Sequence, residues 1–344
     1  VTLEPREQQV LDSYSKIVGS LIYMSTTVRP DITTAVNYSA RGLSNPTLFH
    51  VRLVEQILVY LFQTKYFGLC YSHHDSAVVT DVLRPLSQRY CELECLRDTP
   101  YVLFSDANFG DIYDARLRST TGWCCFVFGC LISWHSRRQT ITAKSTLEAE
   151  LIAAATCSDE GCWLHQVAET MPHIFGLPLD TMPPPVPLLL DNNAALLTAN
   201  HPRTNAATKH IDIRHFRIRD AQGEDQNVAR IRCYWIPTDF NCADHFSKLL
   251  QSVLFRRLTR FLVDNKYHKA EDVKLTANYL TTCKESTARE LSLYLVDSNY
   301  TFPAYPTGRD TNLVHYLTDT REIHACHFAI DFPLFLPDDA ISAL

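Results

Sequence analysis

No stretch of this 344-residue chain is apolar for long enough to cross a bilayer. The longest apolar run, 123–134, has 12 residues and includes Cys, Phe and Gly. A spanning helix needs roughly 20, so the run reads as a pair of buried strands and no membrane partner is expected. The N-terminus, Val1-Thr2-Leu3-Glu4-Pro5-Arg6-Glu7, has neither a signal core nor an initiator Met, as expected of a fragment or a processed product. Positive charge is also short. Lys and Arg total 32 against 38 Asp and Glu, leaving a net charge of −6, which taken as an average argues against a nucleic-acid binder, since such domains tend to be basic. The 12 cysteines form no disulfide framework. Cys124, Cys125 and Cys130 fall in strand-like segments and Cys157 and Cys162 in a helix-like one, the pattern of reduced, buried thiols in an intracellular protein. Cys91-x3-Cys95 has no second Cys/His pair nearby, so zinc is not expected. Residues 264–344 lack tryptophan, periodicity and any motif.

What is present is the composition of a folded chain, 46% hydrophobic and 20% charged, long enough for two domains. The first part is helical in pattern, with apolar spacing over 13–24, 32–43 and 50–64. Arg29-Pro30-Asp31 splits the first two, because proline bars Arg29 from a helix and Asp31 can cap the next one. Residues 72–99 read as a polar, irregular connection. From Tyr101 the grammar changes to short β-branched and aromatic runs at 101–105, 121–128 and 131–135. A helix over 145–169 follows, with Leu147, Leu151, Ala154, Ala155 and Trp163 as its buried stripe. A proline-rich linker, strands at 186–190 and 229–237, and helices at 192–199, 211–221 and 243–262 complete the set. The order predicts an α/β fold, a mixed sheet with flanking helices.

Four acids stand out on this framework. Asp106 ends the strand-like run from Tyr101, and Asp191 ends the run Pro187-Leu188-Leu189-Leu190. Glu150 lies in the long helix, and Asp244 opens the last one. Phosphodiester hydrolysis needs a water made into hydroxide and a leaving oxygen stabilised, and two divalent ions about 4 Å apart can do both. Hard cations want converging carboxylates, which strand ends and a neighbouring helix can supply. Simpler readings stand beside this one: Asp106 as a turn cap, Asp244 as a helix cap. Glu148 competes with Glu150, but two residues on a helix differ by about 200° and cannot share a face. Glu150 precedes the apolar run Leu151-Ile152-Ala153-Ala154-Ala155 and is preferred. Charge is local, too. The segment 203–219 holds Arg203, Lys209, Arg214, Arg217 and Arg219 against Asp212 alone, and Arg116, Arg118, Arg137 and Arg138 make a second basic cluster.

These residues match a known pattern. The chain resembles the ribonuclease H domain at the end of Pol polyproteins from copia-type LTR retrotransposons. The likeness rests on Ser105-Asp106-Ala107-Asn108, Arg118-Ser119-Thr120-Thr121-Gly122, Ile132-Ser133-Trp134 and Glu148-Ala149-Glu150. It continues through Asp191-Asn192-Asn193-Ala194-Ala195, Lys209-His210-Ile211-Asp212-Ile213-Arg214, and Pro237-Thr238 with Ala243-Asp244. Upstream, Val18-Gly19-Ser20-Leu21-Ile22-Tyr23 and Arg29-Pro30-Asp31-Ile32 are similar to the segment that follows the reverse transcriptase palm. The resemblance implies an RNase H-like fold that cleaves RNA in an RNA–DNA hybrid. It implies two magnesium ions, with manganese as a substitute, on Asp106, Glu150, Asp191 and Asp244. It places Lys209, His210, Arg214, Arg217 and Arg219 along the hybrid's phosphates. It makes the reverse transcriptase portion of the same polyprotein a partner, and the cytoplasm, a retroelement particle or the nucleus the location.

The implied organisation is a mainly helical reverse-transcriptase remnant over 1–95, an RNase H-like domain over 96–263 and an extension over 264–344. Departures bear on activity. Lys144 stands where the family has a small or apolar residue, and the mobile histidine of many cellular relatives is missing before Asp244. No Tyr-x-Asp-Asp polymerase motif occurs in the chain. The competing expectation is a decayed or co-opted remnant that binds nucleic acid without cutting it.

Overall fold

The computed structural model describes residues 5–263, apart from 72–75, 115, 179–181, 202–208 and 224–227. Arg203 and the extension over 264–344 therefore lie outside the described residues. The chain divides into two compact units. One is built from residues 1–70 and the stretch after Lys248; the other is the continuous segment 71–248. The divisions thus fall at 70/71 and 248/249, where the sequence suggested 95/96 and 263/264. No described helix is long and apolar enough to cross a membrane.

The first unit contains α1 (Pro5–Asp12), α2 (Tyr14–Thr27), α3 (Thr33–Ala40) and α4 (Leu48–Gln63). Between α2 and α3 the chain makes a 3-10 turn over Pro30–Ile32, where the Arg-Pro-Asp break was expected. Arg29 and Asp31 are both buried, and their side chains form a bidentate pair at 2.9 and 2.8 Å. Tyr60 on α4 donates to Asp31 Oδ2 at 2.7 Å, and Arg29 donates to the carbonyl and hydroxyl of Thr64 at 3.1 and 2.7 Å. Both charges therefore have several partners, as burial of an ion pair requires. The sequence suggested one helix over 243–262, but the structure has two, and the second belongs to this unit. Its Phe255 meets Tyr60 edge-on, with ring centroids 5.6 Å apart.

The second unit begins with helical structure where a polar connector was expected. A π-helical turn at Val79–Leu83, α5 (Arg84–Arg89) and a 3-10 segment at Cys91–Arg97 bury Val78, Val82, Leu83, Leu86, Leu93 and Leu96. Those six apolar residues sit at mixed spacing among charges, which hid their common face. Then come β1 (Tyr101–Asn108), β2 (Thr120–Val127), β3 (Cys130–Arg138), α6 (Thr146–Thr170), β4 (Val186–Leu190) and α7 (Asn193–Asn200). A 3-10 turn at Ile213–Phe216 leads into α8 (Arg217–Ala221), followed by β5 (Ile231–Trp235) and the short α9 (Asp244–Ser247). The last helix, α10 (Ser252–Leu262), is the one that belongs to the first unit.

The five strands form one sheet in the order β3-β2-β1-β4-β5. β1 pairs antiparallel with β2 and parallel with β4, and β5 runs parallel to β4. This five-stranded mixed sheet flanked by helices is consistent with the RNase H-like fold that the motifs implied. α6 packs across the sheet through Leu151, Ala154, Cys157 and Leu164, which meet Leu103, Cys125, Leu188 and Ile231 in one core. Gly161 permits the close approach, since a Cβ there would meet Leu103 Cδ1 at 2.8 Å and Ile231 Cγ2 at 2.7 Å. Trp163, expected in the buried stripe, is instead 55% exposed; two residues beyond the glycine, it has turned away from the sheet.

Within the β1–β2 loop, Asp114 is clamped by Arg118 at 3.1 Å and Arg138 at 2.7 Å, and it accepts from the Arg116 amide at 2.8 Å. Two of the four residues of the second basic cluster thus serve the fold. Burial alone would raise the Asp114 carboxyl, but the Arg118, Arg116 and Arg138 contacts outweigh it and bring the pKa from 3.8 down to about 2. A depressed folded-state pKa contributes stability that is complete above the unfolded value and disappears as pH falls through the folded one. Asp114→Asn should therefore cost about 2 kcal/mol at neutral pH. The deficit should vanish between pH 3.8 and about 2, as followed by urea unfolding across that range.

Candidate metal centre

Parallel pairing places the first two acids side by side. Ser105 on β1 pairs with Leu190 on β4, so the next residues, Asp106 and Asp191, lie on neighbouring chains at the same end of the sheet. Trp235 on β5 donates from its ring nitrogen to the Asp191 carbonyl at 3.1 Å, fixing the chain as it leaves β4. Asn192 then caps α7 by accepting from the Ala195 amide at 3.0 Å.

The third acid arrives through a tight turn. Buried Asn241 donates to the Ser105 carbonyl at 3.0 Å and accepts from the Ala243 amide at 3.1 Å, tying the start of α9 to the end of β1. Gly122 on β2 sits opposite Asp106 and beneath α9. A Cβ there would lie 2.5 Å from the Phe246 carbonyl carbon and the Ser247 nitrogen, so only glycine lets α9 settle onto the strand. As a result, single carboxylate oxygens of Asp106, Asp191 and Asp244 all fall within 4.8 Å of one another. Asp106 and Asp244 are each 3% exposed, and Asp191 is partly exposed. Among the described residues this is the one group of three or more His, Cys, Asp and Glu with metal-ligating spacing.

Glu150 stands on α6, next to a patch of small residues. Ala107 at the end of β1 packs with Ala143, Ala149 and Ala153, bringing the start of α6 close to the strand end. Glu150 is pushed well above the usual carboxylate range, first by burial and then by the charges of Asp106 and Asp191. Asp191 is raised by burial and by Asp106. Asp244 is raised to about 8 by burial and by Asp106, against the opposing pull of Lys248. Carboxylates crowded this way repel one another, and divalent ions would relieve the strain. An all-oxygen donor set at this spacing fits magnesium, whose ligand oxygens lie about 2 Å from the ion. Glu148 has other work. It braces the start of α6, accepting from the Lys144 amide at 2.6 Å while its own amide donates to the N-cap Ser145 Oγ at 3.1 Å.

Two neighbours escaped the sequence reading. Ser247 Oγ donates to Asp106 Oδ2, and Lys248 Nζ lies 2.8 Å from Asp244 Oδ1 and 3.4 Å from Asp106 Oδ2. The signal was available, since positions three and four after Asp244 fall on its side of a helical turn.

The basic segment divides in use. Lys209 is exposed, and Arg214 pairs with Asp212 at 3.2 Å on the surface. His210 lies 3.6 Å from Glu148, and Arg217 pairs with Asp159 while remaining half-exposed. Arg219 corrects the expectation of a phosphate contact. It is 7% exposed, donates twice to the Thr198 carbonyl at 3.1 and 2.8 Å, and stacks over Phe216. Its charge is spent joining α7 to α8. The described cysteines are free thiols, and Cys124, Cys125, Cys157, Cys233 and Cys242 are buried.

The chain is 30% identical over 249 residues to the retrovirus-related Pol polyprotein from transposon TNT 1-94 of Nicotiana tabacum, an alignment covering 72% of this chain. It is 28% identical over 243 residues to the corresponding polyprotein from transposon RE1 of Arabidopsis thaliana, and 27% over 247 residues to that from RE2. This chain is a homologue of copia-type Pol polyproteins. It spans only a small part of them, 16% of the tobacco polyprotein and 14% of RE1. No family model and no solved structure matches the chain. The region is thus retroelement-derived.

Proposed function

We propose that the 71–248 unit of this Pol homologue is a ribonuclease H, hydrolysing the RNA strand of RNA–DNA hybrids with magnesium. The observation that carries the reading is the convergence of Asp106, Asp191 and Asp244, from three separate elements, within 4.8 Å. Asp106, Glu150, Asp191 and Asp244 would hold two magnesium ions, with manganese as a substitute, which supply an activated water and a stabilised leaving oxygen. Ser247 fixes the orientation of Asp106 through its hydrogen bond. The anchoring of α9 by Asn241 and Gly122 keeps Asp244 at the strand end. Lys209, His210, Arg214 and Arg217 would neutralise phosphates along the hybrid, setting affinity without reading sequence. Residues 1–70 would descend from the reverse transcriptase end of the polyprotein and dock to it.

The direct test offers the purified full chain a labelled RNA–DNA hybrid, a DNA duplex and an RNA duplex, with magnesium and with chelator. Cleavage confined to the RNA of the hybrid, and only with the metal, is expected. A chain that binds the hybrid and magnesium but leaves the RNA intact would instead be a co-opted remnant.

A further inference from the structure

The acids face a cation that the chain itself supplies. Lys248 leaves the end of α9 and sets its Nζ 2.8 Å from Asp244 and 3.4 Å from Asp106, two members of the converging triad. Both acid side chains are only 4% exposed, so this is no ordinary surface pair screened by water. Resting on the magnesium reading above, we propose that Lys248 is a tethered counter-ion that holds the cluster together in the metal-free protein and must withdraw when a divalent ion binds.

Three features support an exchange between these two occupants. An ammonium and a magnesium ion touching the same carboxylate oxygens would repel each other across a few ångströms of a largely dry pocket. The lysine can leave, because its side chain is 34% exposed and ends a flexible four-carbon stem. Ser247, fully buried on the preceding residue, continues to hold Asp106 when the ammonium moves. The lysine would then act as a threshold: it stabilises the fold when magnesium is scarce and weakens metal binding by competing for the same oxygens.

The test compares the full-length wild type with Lys248→Met and Lys248→Arg, read by calorimetric titration of magnesium and by thermal unfolding at fixed ionic strength. Lys248→Met should unfold at a lower temperature without metal and should need roughly five-fold less magnesium, or less still, for half-maximal binding. Lys248→Arg, which keeps the charge, should stay near the wild type in both. A magnesium midpoint in Lys248→Met that is unchanged or higher, with a normal response in the wild type, overturns the counter-ion role while leaving the metal reading intact. Indifference to magnesium in all three proteins overturns both. Binding by Lys248→Met alone would support the proposal in its strongest form. Should Lys248→Met fold poorly, Lys248→Gln with manganese binding counted by electron paramagnetic resonance applies the same criterion to the folded fraction.

Discussion

Asp106→Asn is expected to lower magnesium-dependent cleavage of a hybrid by more than ~100-fold, since removing even an outer-shell partner of a metal site costs about 10–100-fold. Asp106 sits at the centre of the site. It shares the triad with Asp191 and Asp244, accepts from Ser247, and lies within ion-pair distance of Lys248. The amide is nearly isosteric and can still accept from Ser247, so the fold should survive. Removing one of several crowded charges should leave the metal-free melting temperature equal to the wild type's or higher, the opposite of what a structural aspartate would show. Single-turnover cleavage and thermal unfolding, measured on the same preparation, separate these outcomes. Cleavage within ten-fold of the wild type would remove Asp106 from the mechanism.

The second large effect belongs to the first unit. Asp31→Ala removes the carboxylate paired with the Arg29 guanidinium, which is 3% exposed and keeps its Thr64 contacts and its place over the Tyr60 and Phe67 rings, and it deprives the Tyr60 hydroxyl of its acceptor. Breaking one side of a buried ion pair costs about 3–5 kcal/mol, because the remaining charge stays out of water. The loss should appear as faster hydrogen exchange across α2, α3 and α4, while amides of β1 and β4 keep their protection. A change below about 1 kcal/mol would mean that water or another group takes the place of the carboxylate.

Much of this molecule was legible because its strands are short apolar runs, two of which lead into acids. The run ending at Leu190 was read to its end, whereas β1 continues three residues past the expected Ser105 to Asn108, so Asp106 lies within the strand; the two acids became neighbours because the strands pair in parallel. The Arg-Pro-Asp break was legible for a local reason, proline's restraint on the residue before it. What failed depended on tertiary context. Nothing between Lys248 and Gln251 announces a helix end, neither proline nor glycine, yet the chain becomes extended there. Trp163 was assigned to the helix's buried stripe, but Gly161 is the residue that faces the sheet. Arg219 shares its composition with its basic neighbours, and only the nearby Thr198 carbonyl diverts it to the fold.

The break after Lys248 has a further consequence for anyone dissecting the chain. The three converging acids, Glu150, Ser247 and the ammonium all fall within one uninterrupted stretch, so a single excised piece, 71–248, carries them all, with Lys248 as its last residue. The other unit cannot be cut out so simply. Phe255 returns to Tyr60 from far along the polypeptide, and a stop codon anywhere before α10 would strip the amino-terminal helices of a partner. Truncation from the back would thus be felt at the front.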